Sequence, residues 1–316
     1  MKQRRPLLIL LVALAVVAAA CGSSKSSSTP SSSGATGASV PNGPQISIGA
    51  QNFGESAILS QVYGQALVAK GYKVKYQALG GFRDLVYKAF KAGDINFTPE
   101  YAASALEFLN KNAGEASPDA QATTAKLRTV LKPLKLQALD PSPAVDSNAF
   151  VVTQATATKY HLTNISDLKG QESKLTLGGP PDCPTNPFCI PGLKQRYGID
   201  FSKHFKSLDA AGPITVQALK SDTVQVAVLF STNGAIAANN WVQLKDDKGL
   251  INADAVVPVL TDGLVTAYGK NFTDLVNKVS AAMTTADLTA MNKSYDIDKE
   301  DAKTVATNFL TSKGLI

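Results

Sequence analysis

Three cysteines, Cys21, Cys183 and Cys189, are the residues with the most restricted chemistry in this 316-residue chain. Cys21 comes directly after an apolar run over residues 7–20, which is preceded by basic residues and followed by a Ser-rich stretch. A basic start, an apolar core too short to span a bilayer and small residues before a cleavage site are typical of a secretory signal peptide. The sequence therefore predicts that residues 1–20 are a signal peptide and that the protein is exported.

Cys21 also lies where a lipid can be attached. The residues Ala18, Ala19, Ala20 and Cys21 resemble the lipobox of lipoprotein signals, in which the cysteine is acylated on sulfur and becomes the mature N-terminus. Ala18 departs from that pattern, because a Leu or Val is more usual there. We expect lipid anchoring to the outer face of the cytoplasmic membrane. The alternative is an ordinary secreted protein in which Cys21 is incidental.

Residues 21–44 are dominated by Ser, Gly, Thr and Pro. Such a composition cannot bury enough apolar surface to fold, so we expect a disordered, flexible tether. A tether has a purpose when its end is anchored, and this segment therefore favours the lipid-anchored alternative. No later stretch of the sequence is apolar enough to predict a membrane span.

Cys183 and Cys189 lie in a Pro-rich segment, residues 178–192, with five residues between them. An exported chain meets an oxidising compartment, so the sequence predicts a disulfide that closes a small ring. A metal site and a reactive thiol are the alternatives. Zinc sites usually bring four ligands in paired spacings, whereas His161 and His204 are far from both cysteines in sequence, and a redox pair more often reads Cys-x-x-Cys. We expect no metal.

Charge and motifs argue against several function classes. Removing residues 1–20 removes three positive charges and lowers the formal net charge from +6 to +3. No stripe of Lys and Arg with interleaved aromatics is present, so we expect no nucleic-acid partner. The sequence also contains no Gly-x-Ser-x-Gly elbow, no Walker loop and no His-Glu-x-x-His pair. We therefore expect neither an enzyme nor a cofactor.

Strands that alternate with helices must position the functional residues. Apolar residues at helix spacing before Gly71 predict a first helix, and Gly80 and Gly81 turn the chain into a second. We expect Pro99 to open a further helix after a strand. The alternation predicts an α/β protein with mostly parallel sheets covered on both faces. The predicted strands are residues 46–49, 73–79, 94–98, 150–153, 174–177, 204–208, 225–229 and 256–260, with helices from residue 272 to residue 315.

Five segments of the sequence resemble the substrate-binding proteins of ABC importers for glycine betaine, choline and related osmoprotectants. They occur in the order and at the spacing of that family, and the resemblance extends from about residue 46 to the end. The segments are ISIGAQNFGES from Ile46, the Gly80-Gly81 pair, KAGDINFTPEY from Lys91, ALKSDTVQVAVLFSTNG from Ala218 and VQLKDD from Val242.

The resemblance implies a two-lobed clamshell of the periplasmic-binding-protein type (type II), in which each lobe is a mixed sheet flanked by helices. Lobe 1 is expected to comprise residues 45–148 and 257–316, and lobe 2 residues 149–256. The ligand would bind between the lobes. Hinge closure would then present the loaded monomer to an ABC permease and its ATPase.

The ligands of this family indicate what the cleft must contain. A quaternary ammonium donates no hydrogen bond, so aromatic faces hold it. Tyr101 and Phe150 fall at positions that resemble the family's cage tyrosines, and Phe230 lies at the corresponding strand end. Thr232 and Asn233 would supply polar contacts at the start of the following helix.

Ser56, Arg83 and Phe188 complete the candidate ligand-binding set. Ser56 lies where many relatives have a glutamine near the ligand. Arg83 follows the glycine turn and could meet a ligand carboxylate in a charge-assisted bond, or could equally pair with Asp84 or Glu55. Phe188 is carried either into the cleft or onto the surface by the loop that contains the cysteine pair.

Departures from the family pattern leave the ligand open. Phe150 replaces a tyrosine and Ser56 replaces a glutamine. By composition alone, Tyr101, Phe150 and Phe230 would more often be core residues, because aromatics commonly pack inside. The expected function is capture of a small cationic or zwitterionic osmoprotectant, such as glycine betaine or choline, for import. The alternatives are the same fold binding a different small solute, and a ligand-sensing lipoprotein.

Overall fold

The computed structural model describes residues 42–252 and 254–316. The predicted signal peptide, the predicted lipid attachment at Cys21 and nearly all of the predicted tether lie outside these described residues. Within the two described ranges, no helix combines the length and the apolar character needed to cross a membrane.

Ten strands form two five-stranded sheets in the described part of the chain. The strands are β1 Ile46–Ala50, β2 Val74–Ala78, β3 Phe97–Tyr101, β4 Leu136–Ala138, β5 Asn148–Val152, β6 Leu177–Gly179, β7 Phe205–Ser207, β8 Val226–Phe230, β9 Val242–Gln243 and β10 Val256–Thr261.

Helices connect the strands and cover the sheets. The helices of the same described ranges are α1 Gly54–Val68, α2 Arg83–Ala92, α3 Ala102–Leu109, α4 Ala120–Leu131, α5 Gln154–Tyr160, α6 Ile190–Gly192, α7 Pro213–Lys220, α8 Gly234–Ala238, α9 Asp262–Tyr268, α10 Lys270–Ala281, α11 Thr285–Asp296 and α12 Ala302–Ser312. The single turn of α6 continues as a π-helical turn over Leu193–Tyr197.

The two sheets have the same pattern. Their strand orders are β2-β1-β3-β10-β4 and β7-β6-β8-β5-β9. In each sheet one strand, β10 or β5, runs antiparallel to both of its neighbours, and the remaining pairs are parallel. The chain enters the second sheet between β4 and β5 and returns to the first between β9 and β10. The predicted α/β fold, with two mixed sheets each flanked by helices, is confirmed.

Both sheets are buried on both faces, as the alternation of strand side chains requires. In β10, Val256 packs with α1 and the C-terminal helices, whereas Val257 packs on the opposite face with α3 and α4. In β5, Phe150 faces one core cluster and Ala149 faces the other. Each sheet is therefore held by packing on both faces, and the loops at the ends of its strands can contribute residues to a site.

One predicted boundary beside that site is wrong. The sequence predicts a helix opening at Pro99, but Phe97–Tyr101 is a buried strand and the helix begins only at Ala102. Proline is favoured in the first turn of helices, which explains the error. In the structure Pro99 faces Pro258 across the β3–β10 pair, so prolines occupy two central strands. Tyr101 is consequently the last residue of a strand.

Candidate ligand-binding site

A cavity of about 400 Å³ opens between the two sheets at the carboxyl ends of their strands. Tyr101 and Phe230 line it from the last positions of β3 and β8, and Gln51 and Pro180 line it from the positions directly after β1 and β6. The carboxyl ends of neighbouring parallel strands lie at one edge of a sheet, which is where open α/β sheets bind ligands. The fold thus brings four strand ends to one space.

Aromatic side chains provide much of the apolar surface of this cavity. Phe53 lies between two of them, with its ring centroid 6.0 Å from that of Tyr101 and 5.4 Å from that of Phe230. We call these three residues the aromatic cluster. The faces of aromatic rings are electron-rich and attract a cation. The aromatic lining residues in the described cavity are Phe53, Phe82, Tyr101, Phe108, Phe188 and Phe230.

Tyr101 is held in place by a buried carboxyl group. Its side chain is 5% exposed, and its hydroxyl donates to Oε1 of Glu55 at 2.5 Å. Burial and the nearby charge of Glu55 raise the pKa of Tyr101 well above its ordinary value, so the phenol stays neutral. The ring orientation is therefore determined by a contact that lies behind the cavity wall.

Glu55 belongs to a buried polar cluster that joins the two sheets. Its Oε2 atom accepts from the Thr232 hydroxyl at 2.9 Å and from the Asn292 amide at 2.5 Å. The same hydroxyl lies 2.8 Å from Oδ1 of Asp146. We call Glu55, Asp146, Thr232 and Asn292 the crossover cluster, because Asp146 lies on the segment between β4 and β5. Its members come from α1, this segment, the loop after β8, and α11.

In the crossover cluster, one hydroxyl group contacts two carboxyl groups. A threonine hydroxyl has one proton and can donate to only one of its two carboxyl neighbours. Protonation of the other carboxyl would allow it to donate to Oγ1 of Thr232 in turn. Burial raises the pKa of Glu55, and burial together with the charge of Glu55 raises the pKa of Asp146 well above its usual range. Both shifts favour the protonated form of the carboxyl group concerned.

Arg83 is a partly buried cation of the cavity wall, and Glu100 engages it. The Nε and Nη2 atoms of Arg83 contact the Glu100 carboxylate at 3.0 to 3.1 Å. Glu100 is fully buried, and its Oε2 atom also accepts from the Tyr101 backbone N–H at 2.9 Å. The prediction that Arg83 could pair with Asp84 or Glu55 is wrong, since its partner is a residue on β3.

Asp254 adds a second carboxylate beside Arg83. It accepts from the backbone N–H groups of Ala103 and Ser104 and from the Ser104 hydroxyl, all at the start of α3. Burial raises the pKa of Asp254 to about 6, although Arg83 and these donors act in the opposite direction. Asp254 lines the cavity and is ionised at neutral pH.

Comparison with known proteins agrees with this geometry. The family model for the substrate-binding domain of ABC-type glycine betaine transport systems matches residues 44–312. The chain belongs to this family. The match includes both sheets and every cavity-lining residue named above.

Individual relatives of this glycine betaine transport family are distant but span nearly the whole chain. Glycine betaine-binding protein YehZ of Escherichia coli (strain K12) is 25% identical over 278 residues, which are 85% of this chain and 90% of the relative. Carnitine transport binding protein OpuCC of Listeria monocytogenes is 25% identical over 268 residues, 84% of this chain and 85% of the relative.

Solved structures agree with the same fold. A structure described as a glycine betaine/carnitine/choline ABC transporter is 25% identical, has a TM-score of 0.68, and covers 85% of this chain and 99% of that one. Lactococcal OpuAC, closed around glycine betaine, is 17% identical with a TM-score of 0.61, and covers 85% of this chain and 96% of that one. At 17% identity the likeness to OpuAC supports the fold alone.

The structure brings some of the sequence-predicted residues of this family member together at the cavity. Tyr101, Phe188, Phe230 and Arg83 all line it. Phe188 reaches it on the loop that follows β6, where its backbone carbonyl accepts from the Asn148 side chain at 3.2 Å. Of the two predicted positions for Phe188, cleft or surface, the structure has the cleft.

Other predicted residues lie behind the cavity or away from it. Phe150 is fully buried in the core of the second sheet, because its position in β5 points toward the helices. Ser56 is fully buried and its hydroxyl accepts from the Gln51 backbone N–H at 2.9 Å. Thr232 belongs to the crossover cluster. Asn233 caps α8, donates to the Ala211 carbonyl at 2.7 Å and lines a small adjacent cavity of about 20 Å³.

Sequence reasoning missed several residues that the cavity uses. Phe53 and Gln51 lie in the family-like segment that begins at Ile46, so a signal was present, but neither was singled out. Glu55 lies in the same segment and was considered only as a partner of Arg83, whereas Asp146 and Asp254 had no signal, since their partners are distant in sequence. Within the described ranges, no group of three or more His, Cys, Asp or Glu side chains is arranged to hold a metal ion.

The cysteine pair lies next to the cavity wall. Cys183 and Cys189 are fully buried and at disulfide distance, with Cα atoms 5.2 Å apart. The residues between them include Asn186 and Phe188, which line the cavity. A link between the two cysteines would therefore restrain one wall of the site.

Proposed function

We propose that this protein captures a quaternary ammonium osmoprotectant in the cavity between its two sheets and delivers it to an ABC permease with its ATPase. One observation carries the proposal: the aromatic cluster of Phe53, Tyr101 and Phe230 lines a cavity at the strand ends of both sheets. A quaternary ammonium has no N–H group, so aromatic faces are the groups that can recognise it.

The proposed contacts differ from the sequence-predicted set. Phe53, Tyr101, Phe188 and Phe230 would surround the cation. Phe150 and Ser56 are left out because both are fully buried away from the cavity lining. Thr232 and Asn233 would act behind the wall, through the crossover cluster and the start of α8.

Domain closure is the motion that we assign to capture. We place the two lobes at residues 45–148 with 257–316 and at residues 149–256, following the passage of the chain between the sheets. Closing two lobes about their connecting segments is a common way to enclose a ligand. The members of the crossover cluster lie on both lobes so defined, and this supports a role for the cluster in holding the closed form.

We further propose that the protein is exported as a monomeric lipoprotein, anchored through Cys21, with Cys183 and Cys189 linked as a disulfide. The signal-like residues 1–20 and the distance between the two cysteines support this. Mass spectrometry of the protein from an exporting host tests both points. An unmodified Cys21 would contradict the anchor, and free thiols at Cys183 and Cys189 would contradict the disulfide.

Isothermal titration calorimetry tests the ligand class. The soluble fragment 42–316, which contains both sheets, would be titrated with glycine betaine, choline, carnitine, proline betaine and ectoine. We expect saturable binding of at least one quaternary ammonium. No heat with any of these solutes would contradict the proposed ligand class and favour a different small solute on the same fold.

A further inference from the structure

Gln51 is a cavity residue with an unused hydrogen-bond donor. It follows β1, lines the cavity and is 5% exposed. Its Nε2 atom is buried and has no hydrogen-bond partner among the residues that the structure describes. A buried donor without a partner is unfavourable, and native proteins rarely leave one unpaired. An oxygen atom of a bound ligand would supply the missing partner.

The position of Gln51 is fixed by its backbone. Its N–H donates to the Ser56 hydroxyl at 2.9 Å, and this bond holds the loop between β1 and α1. Phe53 of the aromatic cluster is only two residues further along the same loop. Both residues line the cavity, so a ligand whose cationic end lies against Phe53 shares that cavity with the Gln51 amide. The terminal torsion of glutamine is soft, so the amide can turn its Nε2 toward the other end of such a ligand.

The charges around the cavity do not favour a ligand carboxylate. Arg83 is a cation of the lining whose side chain is 17% exposed, and Glu100 already engages two of its three guanidinium nitrogens. Lys111, the other cationic lining residue, is exposed. Against these cations the described lining presents four carboxyl groups, those of Asp84, Asp146, Asp182 and Asp254.

We propose that the cavity selects a quaternary ammonium cation with a neutral oxygen, such as a hydroxyl, over a zwitterion with a carboxylate, and that Gln51 binds that oxygen. This inference rests on the proposed function, because it assumes that a quaternary ammonium occupies the aromatic cluster. A hydroxyl can accept from an amide without bringing a negative charge into a lining that already contains Asp84, Asp182 and Asp254. A carboxylate in the same place would be desolvated beside like charges.

The test compares three quaternary ammonium compounds that differ at one end. Choline has a hydroxyl, glycine betaine has a carboxylate and tetramethylammonium has neither. Calorimetric titration of the fragment 42–316 should give choline an affinity at least about tenfold higher than that of glycine betaine, which is roughly 1.4 kcal/mol. Tetramethylammonium reports on the aromatic cluster alone.

Two substitutions of Gln51 separate its role from general packing. Gln51→Met keeps the length of the side chain but removes the donor. It should weaken choline binding roughly five- to tenfold and leave tetramethylammonium binding unchanged. Gln51→Lys adds a cation and should move the preference toward glycine betaine by about tenfold or more. Gln61→Met, on α1 and outside the described cavity lining, is the matched control and should change none of the three affinities.

The possible failures can be told apart. If the unsubstituted protein binds glycine betaine as tightly as choline, the selectivity inference is overturned and the proposed function stands. An equal loss of choline and tetramethylammonium in Gln51→Met would overturn the assignment of Gln51 to the ligand oxygen. If none of the three compounds binds, the proposed function itself is overturned, and the inference that rests on it falls as well.

Discussion

The two sheets share one strand order, yet they end in different ways at the cavity. Tyr101 and Phe230 are the last residues of the equivalent strands β3 and β8, and each pairs with the first residue of the antiparallel strand beside it. Tyr101 is 5% exposed and its hydroxyl is bonded to Glu55, whereas Phe230 has no polar group and is partly exposed. Equivalent positions thus carry aromatics of different rigidity.

The loops after the equivalent strands β1 and β6 also differ, both in length and in the helix that follows. After β1 the chain passes through Gln51 and Phe53 and enters the 15-residue helix α1 directly. After β6 it forms the long cysteine loop, which leads into the three-residue helix α6. We propose that the first half orients a ligand through hydrogen-bonded residues, whereas the second half supplies a loop wall that a link between Cys183 and Cys189 would restrain.

The largest expected effect comes from breaking the connection between the halves. Thr232→Val removes the hydroxyl that contacts both Glu55 and Asp146 and leaves two buried carboxyl groups without their common partner. We expect a loss of about 3 to 5 kcal/mol in the free energy of unfolding, measured by urea denaturation. Thr289→Val, whose hydroxyl donates only to a backbone carbonyl in α11, is the control. Equal losses in both variants would contradict the role of the cluster.

The second prediction concerns Asp254, which holds α3 of the first half to the returning chain. Its folded pKa of about 6 lies above the ordinary 3.8, so the folded state binds the proton more tightly. This contribution to stability is full below the ordinary pKa and is lost as the pH rises through about 6, a change of roughly 3 kcal/mol.

The variant Asp254→Asn isolates that contribution. The unfolding free energy of the variant minus that of the unsubstituted protein should increase as the pH rises from about 4 to about 7. The comparison removes the pH dependence of Glu55 and Asp146, which both proteins share. Parallel stability curves would show that Asp254 does not titrate in this range.

The smallest predicted effect is a loss of ligand affinity when either of the two equivalent aromatic residues, Tyr101 or Phe230, is replaced. Tyr101→Ala should weaken binding of the tightest quaternary ammonium by about 2 kcal/mol, because it removes a buried and oriented ring. Phe230→Ala should cost about 1 kcal/mol, since its ring is partly exposed and less constrained. Calorimetric titration measures both. A larger loss for Phe230→Ala would reverse our comparison of the two halves.

Structural features that depend only on residues close together in sequence were predictable. The strand from Ile46, the helix that ends near Gly71 and the close approach of Cys183 to Cys189 each depend on neighbouring residues. Pro99 shows the limit of such reasoning, because its strand conformation is imposed by pairing with Pro258. Residues 120–138 went without prediction, and they contain α4 and β4.

The candidate site was only partly predictable for the same reason. Tyr101 and Phe230 were found because family-like segments contain them. Phe150 was misplaced, since a one-residue difference in strand register decides which face a side chain points to. The partner of Arg83 was also missed, because Glu100 becomes its neighbour only when β3 lies beside the start of α2.

The sequence by itself determined the α/β alternation, the family and the aromatic character of the site, because hydrophobic periodicity and family-like segments are local properties of the chain. Only the tertiary structure decided that Glu55, Asp146, Thr232 and Asn292 share one buried cluster, and that Nε2 of Gln51 has no hydrogen-bond partner among the described residues. Those facts depend on which side chains meet after two sheets have been assembled from distant segments. Burial and hydrogen-bond satisfaction are properties of that assembly, and no single segment contains them.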